Sequence, residues 1–198
     1  MRPIERPTRT LASMLAAAGG VSLGVSGGAL SGAVTQSAST GIISAATLYG
    51  NAGSVSATNT RIDNLGAFTT TGALTITDKG GAAAGLTFTG NVTAGAGSQI
   101  ETTDGAMRLV GTTLNAAGVD LVLKGIGVSQ TSASKVFAST AQITAGVGSI
   151  DLSSALNDFT GQVTLTASGA AASIGDINGL SLNSLTGKLA VTTSITAI

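Results

Sequence analysis

The sequence contains no cysteine, no histidine and no tryptophan, and each absence closes off a chemistry. Without cysteine there is no disulfide framework and no thiolate metal site. Without histidine the usual general base and the commonest transition-metal ligand are both missing. Charged residues make up 9% of the chain and aromatics 3%, against roughly a quarter charged in a typical soluble domain. Ser, Thr, Asn and Gln must therefore cover the surface. Nine basic and nine acidic residues balance, and three of the basic ones (Arg2, Arg6, Arg9) fall in the first ten positions. No basic patch is interleaved with aromatics, which argues against a nucleic-acid partner. Disorder fits poorly as well: disordered chains combine low hydropathy with high charge, and here the mean hydropathy is +0.46.

What is present is aliphatic and regular. The 43% hydrophobic fraction comes largely from Ala, Val, Leu and Ile, and 29 glycines punctuate the chain. From about Val21 onward short runs alternate with period two between Gly, Ser, Asn and Asp. Examples are Leu74-Thr-Ile-Thr77, Leu86-Thr-Phe-Thr89, Leu121-Val-Leu-Lys124, Val163-Thr-Leu-Thr166 and Leu189-Ala-Val-Thr192. Each puts two apolar side chains on one face, the mark of a half-buried strand. One register of apolar marks runs through Val34, Val55, Ile76, Ile100, Leu121, Ile143, Leu165 and Leu189, in steps of 21 to 24 residues. A second set (Leu65, Phe88, Leu109, Ile150 with Leu152, Leu180 with Leu182) falls between these marks. A coil of about 22 residues holding two or three short strands is what a parallel β-helix requires. The expected fold is thus an all-β, right-handed parallel β-helix of about eight coils, a solenoid stabilised by nearest-neighbour stacking. Its narrow aliphatic interior leaves little room for aromatics, and Gly and Asn are expected at corners that need positive φ.

The first 20 residues read as a separate basic and apolar segment. No charged residue occurs between Thr10 and Thr60, and Leu11–Ala18 is the one stretch compatible with a short helix. After an Arg-bearing start it matches the hydrophobic part of a secretion signal, although Glu5 interrupts the basic region and six glycines between Gly19 and Gly32 dilute the apolar run. The competing reading is an arbitrary start inside or just ahead of the repeats, which occupy 21–198 and break off in mid-pattern. A membrane-spanning helix is not expected, because a span needs about 20 predominantly apolar residues.

The residues of the repeat region carry a resemblance. Val34-Thr-Gln-Ser-Ala-Ser-Thr-Gly-Ile-Ile-Ser-Ala-Ala-Thr-Leu48, then Gly50, Gly53 and Ile62-Asp-Asn-Leu-Gly-Ala-Phe68, resembles the repeats of filamentous-haemagglutinin-like proteins and autotransporter passengers. So does Ser149–Leu165, where an Asn-Asp-Phe-x-Gly turn leads into a strand. The likeness runs from about Val21 to Thr193. It implies a segment of a large bacterial protein, secreted or displayed at the cell surface in association with the outer membrane. It also implies attachment or cell–cell contact as the function, host or surface glycans, proteins or like chains as partners, and an outer-membrane translocator for export. The family's secretion-recognition domain and translocator barrel are not recognisable in these residues.

Several short motifs invite chemical readings, and each lacks a necessary partner. Gly24-Val-Ser26-Gly-Gly28 matches a nucleophile elbow, but no histidine exists to take the serine proton. Ser132-Ala-Ser-Lys135 matches S-x-x-K but lies among strands. Gly146-Val-Gly-Ser-Ile-Asp151 is off the spacing of a calcium-binding nonapeptide by one residue and occurs once. Asp104, Asp120, Asp158 and Asp176 are scattered, and calcium needs six to eight oxygen ligands. Asn91-Val-Thr93 reads as a turn entering a strand. Thr75–Thr77, Thr87–Thr89 and Thr164–Thr166 are not one coil apart, as an ice-binding threonine ladder would require. No residue is assigned a catalytic, cofactor-binding or metal-ligating role, and no cofactor is expected. The leading expectation is a non-catalytic structural or adhesive segment. The alternatives are a polysaccharide-active β-helix, disfavoured by a single Tyr (Tyr49) and a single Glu beyond residue five (Glu101), and an ice- or glycan-binding solenoid.

Overall fold

The computed structural model describes residues 8–24, 30–37 and 40–191. The described residues are all-β and form a solenoid of about eight turns spaced by about 22 residues. Three ladders of parallel strands run along the rod. The first stacks Arg9–Leu11, 34–36, 55–57, Leu74–Asp78, Ser98–Thr102, Leu121–Gly125, Ala141–Ala145, 163–167 and 182–186. The second stacks 64–65, Leu86–Phe88, Met107–Leu109, Val128–Gln130, Ile150–Leu152, 172–174 and 189–191, with 15–17 on 43–45 in the earlier coils. The third joins 68–69, Val92–Thr93, Thr113–Ala116, Lys135–Ala138 and Asp158–Phe159.

Alternation decides which side chains go inside. In Leu74–Asp78 the first, third and fifth residues are buried and the other two half-exposed, as a period of two dictates. Stacking those positions gives continuous columns: Ile76 on Ile100, then Leu123, Ile143, Leu165 and Leu185. Leu86, Met107, Val128, Ile150 and Ala172 form another. Backbone groups are satisfied between coils; Met107 N–H donates to Gly127 O (2.8 Å) and Val128 N–H to Ser149 O (3.0 Å).

Several expectations change in detail. The repeat begins earlier than Val21, because Arg9–Leu11 already pairs with 34–36, and Leu15–Leu23 is a strand although the sequence of Leu11–Ala18 is also compatible with a short helix. Val55 lies opposite Leu74, not Ile76, and Ile100 opposite Leu123, not Leu121. Leu189 belongs to the second ladder, opposite Ala172, and Leu182 to the first, opposite Val163. Inward positions two residues apart are interchangeable to an alternation pattern, and turns of unequal length hide the offset. Phenylalanine also enters the interior: Phe68, Phe88 and Phe159 are all buried. Phe68 fits because the preceding coil offers Gly50 beneath its ring, where a Cβ would stand 3.0 Å from Cζ.

Positive φ is confined to glycine among the described residues, so asparagine does not share that role. Two of these glycines separate conformation from crowding. Gly85 has φ 88° and its missing Cβ would run into Ala106 backbone; Gly111 has φ 62° and open space around it. We expect Gly111→Ala to cost about 1–2 kcal/mol, the penalty of a left-handed non-glycine residue. Gly85→Ala carries that penalty plus a displaced neighbouring coil and should cost more. Urea unfolding of the two variants compares them, and equal losses would contradict the close coil contact at Gly85.

Candidate functional site

The ladders leave gaps where the chain turns a corner, and polar side chains fill them by reaching into the neighbouring coil. Among the described residues, the side-chain oxygen of a buried residue accepts a backbone N–H from the coil before it in five places. Asp78 Oδ1 takes Ile62 N–H (3.0 Å), Ser98 Oγ takes Leu74 N–H (2.9 Å) and Ser134 Oγ takes Thr112 N–H (3.3 Å). Asn157 Oδ1 takes Val136 N–H (2.9 Å) and Asp176 Oδ1 takes Phe159 N–H (2.9 Å). All five acceptor residues are buried. Each of these accepting oxygens thereby has the partner that a buried polar atom needs.

The motifs singled out from sequence are placed as follows. Ser26 lies outside the described residues. In Ser132–Lys135, Ser134 is buried and its Oγ donates to Leu109 O (3.0 Å), while Lys135 stands beside Thr113 of the neighbouring coil. Asp151 is exposed on its strand and accepts Ser153 N–H (3.3 Å). Of the four scattered acids, Asp120 accepts the Thr140 hydroxyl (2.7 Å), Asp158 the Asn178 amide (3.1 Å) and Asp104 the Gly85 N–H (3.2 Å). Those four do not converge, and among the described residues no group of three or more His, Cys, Asp or Glu could hold a metal ion. Asn91 Oδ1 accepts Thr113 N–H (2.9 Å). Thr75 and Thr164 lie four rungs apart on the first ladder, with Gln99, Val122 and Gln142 between them, and Thr87 lies on the second. Tyr49 is 41% exposed, and Glu101 accepts the Gln99 amide (3.1 Å).

Two polar constellations escaped the sequence reading. Asn157 uses both ends of its amide: Nδ2 shares its two hydrogens among Leu152 O (2.8 Å), Gly175 O (3.2 Å) and Gln130 Oε1 (2.9 Å), and Gln130 Nε2 returns a bond to Asn157 Oδ1 (3.0 Å). Asp78, fully buried, follows Leu74 and Ile76 on the inward side of its strand. Burial pushes its carboxyl up to about 6, and the Asp104 carboxylate adds to this, while the Ile62 and Gly80 amides and the Thr102 hydroxyl pull the other way. The available signal was parity: in Leu-Thr-Ile-Thr-Asp the acid falls on the apolar positions.

The outer surface of the first ladder carries a regular row of side chains. Thr10, Thr35, Ser56, Thr75, Gln99, Val122, Gln142 and Thr164 follow one another on successive rungs, pointing out and uncharged. Beside the early coils a cleft of about 400 Å³ has small residues such as Ala18 and Ala46 on one side, with Arg61, Asp63 and Gly81 also lining it. Asp63 there is committed to Ala83 N–H (2.7 Å).

The class defined by these features is a parallel β-solenoid with polar-stitched corners. Compared with protein families, curated proteins and solved structures, the chain matches none.

The Asn157 network makes a direct prediction. Asn157→Ala would leave Val136 N–H and Gly175 O to find other partners, at about 1–3 kcal/mol for each buried group left unsatisfied, while Leu152 O keeps the Gly175 N–H (2.8 Å). A loss of more than about 2 kcal/mol in urea unfolding is expected, and a loss under about 1 kcal/mol would contradict the network.

Proposed function

We propose that this chain is a non-catalytic adhesive rod, a segment of a large bacterial protein secreted to or displayed at the cell surface, that mediates attachment or cell–cell contact. The observation that supports this most is the row from Thr10 to Thr164: eight outward positions on consecutive rungs, seven of them hydroxyl or amide side chains. At one strand spacing, about 4.8 Å, such groups offer a repeating set of donors and acceptors along the rod. The row itself is uncharged, so a partner that leaves the neighbouring Glu101 carboxylate in water covers it without the costly desolvation of a charge. Extended glycan chains or the same face of a like chain are the partners that such a row suits. The resemblance of the repeats to haemagglutinin-like and autotransporter passengers supports the same reading, including export through an outer-membrane translocator.

Placing glutamate at Thr75, Gln99, Gln142 and Thr164 together tests it. These side chains point away from the core, so the β-sheet circular dichroism should persist. Like charges stacked on neighbouring rungs of a sheet repel. Binding of the purified segment to a panel of neutral glycans, and its self-association by light scattering, should fall at least about tenfold. Unchanged binding in the variant, or turnover of the polysaccharides, would sink the proposal.

A further inference from the structure

The corner formed by Asp78, Thr102 and Asp104 has one hydrogen too few. The Thr102 hydroxyl lies 3.2 Å from Asp78 Oδ2 and 2.9 Å from Asp104 Oδ1. It carries a single proton and can donate to one of them. With both carboxylates ionised, the other contact sets two oxygen lone pairs against each other at a buried site. A proton on Asp78 Oδ2 resolves this. Asp78 then donates to Thr102 Oγ1, and Thr102 donates to Asp104 Oδ1, which also receives Gly85 N–H (3.2 Å). Meanwhile Asp78 Oδ1 keeps the Ile62 N–H (3.0 Å). The chain of bonds crosses three consecutive coils, because Thr60, Asp78 and Thr102 stand in register on the first ladder.

We propose that Asp78, Thr102 and Asp104 form a proton-binding site that ties three coils together on acidification. The other ionisable groups on these elements do not take part. Lys79 and Arg61 are exposed, Asp63 is turned to Ala83 N–H, and Glu101 points outward to Gln99. The direction of the effect follows from linkage. The Asp78 carboxyl titrates at about 6 in the folded protein, above its ordinary value of 3.8. Its contribution to stability is therefore fully present below the ordinary carboxylate value and is lost as pH rises through about 6. Between pH 7.5 and 5 the site should raise the folding constant about tenfold.

Urea unfolding of the wild-type chain and Asp78→Asn between pH 4 and 8 tests the proposal, together with carbon-13 NMR titration of the carboxyls. The wild-type midpoint should rise between pH 7.5 and 5 by the equivalent of about tenfold more than that of the variant. The carboxyl signal missing from the variant should inflect near pH 6. The wild-type NMR titration decides the matter even if the variant fails to fold. Three outcomes would overturn the proposal: the same pH response in both chains, a carboxyl titrating at its ordinary value, or stabilisation by calcium at pH 7.5 as large as that by acid, which would mark a cation site instead.

Discussion

Everything in this fold depends on backbone hydrogen bonds that run from one coil to the next. Among the described residues, each strand pairs with strands of neighbouring coils, and always in parallel. A single coil could satisfy almost none of its own N–H and C=O groups, and an unpaired buried backbone group costs about as much as a lost hydrogen bond. Coils therefore stabilise one another in a chain of nearest neighbours. The apolar columns follow from the same register, since a stack of Ile76, Ile100, Leu123, Ile143 and Leu165 exists only if the rungs align.

Corners are where that logic is weakest, because turning the chain interrupts the ladder. The structure answers with buried Asp, Asn and Ser side chains that accept the stranded N–H of the preceding coil. Neutral residues do this at little cost. An aspartate does it at the cost of desolvating a charge, and Asp78 shows the consequence in its raised titration. Burial and the nearby Asp104 outweigh the two amides and the hydroxyl that favour the ion. Structural stitching and proton affinity are thus two properties of the same side chain.

The architecture was legible in the sequence for a physical reason: strand alternation and the coil period are both written in the positions of apolar residues. Val34 over Val55, Ile76 over Ile100 and Ile143 over Leu165 could be read by counting. The register at Leu121 and Leu189 could not, since a shift of two residues preserves inside and outside and only turn geometry distinguishes the choices. The first coil was hidden because Leu11–Ala18 has neither a clear alternation nor a turn signal. Phe68 was unexpected because the room for its ring comes from Gly50 in another coil. The Asn157 and Asp78 constellations have the same character. Most of their partners, such as Ile62, Gln130 and Val136, are 16 to 27 residues away and become neighbours only once the stacking is known.

The adhesive reading and the proton site both rest on outward and inward rows that exist only if the rungs are in register. The absence of cysteine allows spin labels to be placed solely where cysteine is introduced. Labels at Thr164 paired in turn with Gln99, Thr75, Ser56 and Thr35 span three, four, five and six rungs of the first ladder. The account predicts electron-spin distances that grow linearly by about 4.8 Å per rung, the spacing of paired strands. Distances that fail to increase with rung number, or that spread without a peak, would contradict the stacked solenoid.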